Sequence, residues 1–163
     1  MACRGVHFAL TAEQASRLMD NPDFDDNELM TFVEEIEGAW DKDWLQETDK
    51  AWDAIHRCLT DGELEYGESP YHQCILGSEN LYEGDDYIVN YLDPEEVKEV
   101  AAAIKAVDRK WLRRKYDAID AETYQGVLGE DDFEYTWSWF QPLRDFFQKA
   151  AKHERAVLFS VDQ

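Results

Sequence analysis

The chain has 163 residues, with 37 Asp and Glu against 16 Lys and Arg, for a formal charge of −21. Apolar residues make up 44% and aromatic residues 13%, enough for one packed core, so a disordered chain is excluded despite the charge. Such a surface repels nucleic-acid phosphates and anionic headgroups and attracts basic proteins.

The charge is uneven. Residues 1–100 carry 26 acids and 6 bases, a net of −20, whereas residues 101–163 carry 11 acids and 10 bases, a net of −1. Six of those later bases fall between Lys105 and Lys115. No stretch approaches the roughly 18 apolar residues of a membrane span. "GVHFAL" is too short for the apolar part of a signal peptide. Cys3, Cys58 and Cys74 form an odd set without framework spacing. The expectation is a cytoplasmic protein with reduced thiols, no membrane and no nucleic-acid partner.

In chain order, "RGVHFAL" reads as a first strand, and Thr11 with Gln14 forms a capping box for a short helix bearing Ala15, Leu18 and Met19. After an acidic loop, Leu29, Phe32, Val33 and Ile36 mark a helical face that should end near Gly38. "DKAWDAIHRCLTDG" (49–62) is the next helix, capped by Thr48 or Asp49 and stopped by Gly62. "QCIL" and "DYIVNYL" are strand candidates, separated from that helix by the loop "DGELEYGESPY".

Asp93-Pro94-Glu95-Glu96 is a strong helix start, and Val97, Val100, Ile104, Val107 and Trp111 extend one apolar stripe behind it. A second long helix should run from about Phe133 to Lys152, with Pro142 kinking it or marking its start. "RAVLFSV" reads as a central strand. These elements predict a single compact α+β domain over residues 1–163, a small mixed or antiparallel sheet packed against several helices.

Trp52, Ile55, His56 and Leu59 share one helical face. Cys58 lies roughly 200° around the axis from His56, so the two cannot act as nucleophile and base on a regular helix. His72 and Cys74 repeat the spacing, but zinc motifs favour other spacings and a helix cannot aim His56 and Cys58 at one ion. Asp23, Asp25, Asn27 and Glu34 fit a calcium-loop template only loosely, with Glu28 where glycine belongs, and a capped helix start is simpler. No phosphate loop, GxSxG or HExxH is present. Arg109, Lys110, Arg113, Arg114 and Lys115 are read as intramolecular partners or helix-terminating cations. No catalytic residue, metal ligand or cofactor is assigned. The expected role is a non-enzymatic domain that docks a basic protein. The alternative is a small-molecule pocket edged by Trp52, His56 and Tyr66.

Several segments in order — "GVHFALTAEQASRLM", "DKAWDAIHRCLTDG", "ILGSENLYEGDDYIVNYLDPEEVKEVAAAI", "RKYD" and "FFQKAAKHERAVLFSVDQ" — resemble the YfbM-like family of small bacterial proteins, a domain of unknown function. The Trp52 to His56 spacing followed by "LT-G" carries most of the likeness. The resemblance implies a compact α+β domain in a bacterial cytoplasm and brings no catalytic residues with it. The acidic stretches at residues 20–28 and 63–69 depart from the shorter members.

Overall fold

The computed structural model describes residues 3–22 and 24–163. Its centre is a four-stranded antiparallel sheet in the order β2-β1-β4-β3, built from β1 (Gly5–Leu10), β2 (Leu45–Asp49), β3 (Tyr87–Leu92) and β4 (Ala156–Asp162). The C-terminal strand is interior, as its continuous apolar run predicts. Helices α1 (Ala12–Met19) and α2 (Asp26–Ala39) cover one face. Helices α3 (Trp52–Leu59), α5 (Pro94–Lys105), α6 (Arg109–Tyr116) and α7 (Glu130–Lys152) build the other, larger core, and the single-turn α4 (Pro70–Gln73) lies at its edge.

Strand alternation sorts the side chains between these two cores. Phe8, Leu10, Val89 and Leu158 join Leu29, Phe32 and Val33 beneath α2. Ala9, Val157, Phe159 and Leu92 join Ile55, Ile104, Phe140 and Phe147 on the opposite side. Both faces are buried, which makes β1 and β4 apolar at nearly every position.

The capping signals are realised. Thr11 with Gln14 and Asp93 with Glu96 form reciprocal capping boxes, and Pro94 opens α5. Asp25 caps α2 by accepting from the Glu28 amide, so Asn27 and Glu34 lie inside a helix rather than a calcium loop; Asp23 lies outside the described residues.

Four expectations are corrected. "QCIL" is not a strand: α4 ends at Gln73, and buried Cys74, Ile75 and Leu76 form a turn. Its carbonyls are taken by side chains instead of a partner strand, Cys74 O by His7 and Gln73 O and Ile75 O by Asn90. The stripe from Val97 to Trp111 is two helices, because Asp108 caps a new start by accepting from the Trp111 amide, while Val107 stays buried and preserves the periodicity. Helix α7 begins at Glu130 and runs through Pro142, anchored on either side by buried Phe140 and Leu143. The end expected near Gly38 is found there, since α2 stops at Ala39 where Trp40 adopts a left-handed φ of 44°. Neither Thr48 nor Asp49 caps α3, whose N-cap is Ala51 without a side-chain bond. Thr48 donates to Gly5 O across β1–β2, and Asp49 accepts from Tyr135 on α7. Strand β2 itself, "LQETD", was not expected.

Gly77 turns the chain behind "QCIL" at φ +73°, and a Cβ there would fall 2.1 Å from Asn90 Oδ1. Asn90 cannot swing away without losing its bonds to Gln73 O and Ile75 O. Gly77→Ala is therefore expected to cost about 1–3 kcal/mol in urea unfolding.

Candidate functional site

Two imidazoles are enclosed in the larger core. His7 on β1 sits among Phe146, Phe147 and Phe159, with ring centroids 4.7–6.1 Å away. His56 on α3 lies 5.8 Å from the ring of His72. Both are fully buried. His7 Nε2 donates to Cys74 O at 2.8 Å and His56 Nε2 to Glu65 O at 2.7 Å, because a carbonyl can only accept. Each Nδ1 is left as a bare, unpartnered acceptor. Burial lowers both pKa values from 6.5 to about 4, so both rings are neutral near pH 7. Together they strap the 60–77 segment onto the sheet and α3.

The thiols are similarly closed off. Burial pushes Cys58 up to about 12 and raises Cys74 further still. Neither is a nucleophile at neutral pH. Among the described residues, no group of three His, Cys, Asp or Glu side chains is arranged to hold a metal ion.

The accessible chemistry lies beside α3. A cavity of about 580 Å3 is lined by Trp52, Asp53, Leu64, Tyr124, Asp132 and Tyr135, among others. Helix α3 supplies Trp52, whose indole Nε1 donates to Cys3 O at 2.9 Å, and Asp53, which pairs with Arg57 one turn on at 2.6 Å. Arg57 is only 4% exposed, and it also donates to Gly62 O, Thr123 Oγ1 and Thr123 O. That fork ties α3 to the loop carrying Tyr124, with the guanidinium 5.6 Å from the Tyr124 ring.

Asp132 sits in the first turn of α7, where a carboxylate suits the helix dipole. It accepts from Tyr116 Oη at 2.6 Å and from Tyr124 Oη at 3.1 Å. Tyr116 Oη in turn accepts from the amide of Gly129, the residue that opens α7 without a side-chain cap. Tyr135 donates to Asp49 at 2.6 Å. Burial, and then the neighbouring carboxylates, push the phenols of Tyr116 and Tyr124 well above their ordinary range and Tyr135 up to about 12. These phenols are fixed donors. Asp53 pairs with Arg57 and Asp49 with Arg4, but Asp132 has no Lys, Arg or His within ion-pairing distance among the described residues.

Of the residues singled out from sequence, Trp52 lines this cavity; His56 lies behind it in the core, and Tyr66 is 43% exposed on the loop and does not line it. Tyr124, Asp132 and Tyr135 were missed. No local spacing links Asp132 to α3 across some eighty residues.

A family model described as a domain of unknown function, DUF1877, matches residues 1–160. The chain belongs to this family. A similar fold is seen in the crystal structure of YfbM, a protein of unknown function from Escherichia coli, with a TM-score of 0.70 at 18% identity over 97% of this chain and 99% of that one. At that identity the likeness is one of fold. No curated protein matches. Family membership confirms the resemblance carried by the Trp52–His56 segment and its neighbours. The family name assigns no chemistry to the cavity beside Trp52, whose properties rest on the residues that line it.

Proposed function

We propose that the chain is a non-enzymatic, cytoplasmic binding domain whose acidic surface docks a basic protein, an immunity protein that neutralises a basic toxin being one concrete form. One observation carries this reading: none of the described Asp and Glu residues is buried, whereas one cation, Arg57, is. Because Arg57 is paired with Asp53, the net charge of −21 is carried by the remaining, unburied groups. Most arginines are already matched, Arg17 with Glu35, Arg109 with Glu134 and Arg113 with Asp117 and Glu130. The unmatched carboxylates gather beside α2, where Asp26, Asp85 and Asp86 surround Tyr82 and Glu34, Glu37 and Asp162 surround Tyr87. Their field, added to burial, holds the Tyr87 phenol up to about 12. A basic partner would relieve this repulsion and meet the surface quickly.

The test is capture at low salt, identification of the captured protein and re-measurement with purified components. A basic partner is expected, bound at least tenfold more weakly when salt rises from about 50 to about 500 mM. An acidic partner, or an affinity indifferent to salt, would overturn the proposal. A second reading, a small-molecule binder, has the cavity beside Trp52 in its favour, because about 580 Å3 is within the usual range of ligand sites.

A further inference from the structure

We infer that the cavity beside Trp52 is a binding site for an organic cation, an ammonium group carried on a compact apolar body. This rests on the small-molecule reading and names its ligand class; it does not depend on a basic protein docking elsewhere. The lining includes the aromatic residues Trp52, Tyr124 and Tyr135, with Leu64 at 36% exposure beside them. Rings of this kind accept an apolar body, and their faces favour a cation. The polar groups decide the sign of the ligand. Tyr116 and Tyr124 both point their hydroxyl protons at Asp132, and Tyr135 points its own at Asp49. No phenol proton is left over to receive an anion.

Asp132 is the decisive residue. Asp53 is matched by Arg57 beneath the cavity, and Asp49 by Arg4. Asp132 is half-buried and matched only by neutral phenols, so its charge is uncompensated at the cavity wall. An ammonium seated there would gain a charge-assisted hydrogen bond and an aromatic face together. Lys50 is the one cation lining the cavity; it is exposed, and its ammonium can swing into solvent. The opposite case is the groove along α6, where Arg109, Lys110, Arg113 and Arg114 surround Phe133. There Arg109 and Arg113 are neutralised by Glu134, Glu130 and Asp117 and lie over the Phe133 ring, so the guanidinium–aromatic contact is already made within the chain.

The experiment compares three probes of one shape, 2-phenylethylammonium, 2-phenylethanol and 3-phenylpropionate, by their shifts of the Trp52 indole N–H resonance in the intact protein. The expected order of affinity is cation, then neutral, then anion. Asp132→Asn should weaken the cation roughly tenfold and leave the alcohol unchanged. Glu13→Gln, at an exposed position on α1 across the sheet, should change neither. Tyr124→Phe keeps the ring and frees an acceptor oxygen of Asp132, and it should keep or raise the preference for the cation without abolishing binding of the alcohol. Equal binding of cation and alcohol, a preference for the anion, or an equal loss in Glu13→Gln would overturn the inference. So would absence of binding by all three probes. If the alcohol or the anion binds at Trp52 without a preference for the cation, the small-molecule reading survives and the ligand class fails.

Discussion

Arg57→Ala is expected to lower the unfolding free energy by about 3 kcal/mol, the lower end for a broken buried ion pair. The guanidinium is 4% exposed and satisfies Asp53, Gly62 O and both oxygens of Thr123. Truncation strands a carboxylate and two carbonyls in a closed space. Asp53 retains 21% exposure and can recruit water, which keeps the loss at the lower end. Arg57→Lys should recover little, because an ammonium cannot span acceptors on α3 and on the 123–124 loop in one geometry. Asp53→Asn leaves the Thr123 and Gly62 bonds in place and should cost less than Arg57→Ala. Chemical denaturation of the three variants tests this, and an Arg57→Lys variant as stable as wild type would remove the fork from the account.

Acid should destabilise the protein through His7 and His56. Both have folded pKa values of about 4 against 6.5 in the unfolded chain. The unfolded state therefore binds more protons between those values. Stability is fully present above pH 6.5, falls as pH drops towards about 4, and loses nothing more from these groups below that. Each shift corresponds to about 3 kcal/mol, so the pair accounts for roughly 6 kcal/mol, comparable to the whole stability of many domains. The cost arises at the bare Nδ1 atoms, which would carry a proton into surroundings with no acceptor. His7→Gln or His56→Gln can still donate to the carbonyl at Cys74 or Glu65 but cannot titrate. Each should flatten the dependence on pH between 4 and 6.5 by about one proton, or about 1.4 kcal/mol per pH unit. An unchanged slope in both variants would mean that the rings charge within the fold.

The two histidines also mark how far local reasoning reaches. "RGVHFAL" is legible as a strand because its apolar residues and its length leave little else, yet His7 carries no sign of its role until Cys74 arrives opposite it. Spacing puts His56 on one helical face with Trp52 and Leu59, but α3 is buried nearly all round, and the Glu65 partner of His56 lies beyond the end of that helix. The failures share one cause. "QCIL" has strand composition, and only the side chains of His7 and Asn90 make a turn of it by occupying its carbonyls. The stripe through Val107 keeps helical periodicity across a break, since both helices press the same core and burial alone cannot report where one ends.

By itself the sequence determined the α+β class, the Thr11–Gln14 capping box, the helix start at Asp93, the interior position of the last strand and the excess of negative charge, because periodicity, caps and charge are properties of neighbouring residues. Only the tertiary structure decided that Trp52 would meet Tyr124 and Tyr135, that Arg57 would be the buried cation, and that Asp132 would be left without one. Those pairings join segments some seventy or more residues apart, and no local preference encodes them. They follow from packing α3, the 123–124 loop and the start of α7 around one core, where each buried polar group must find a partner wherever the chain brings one.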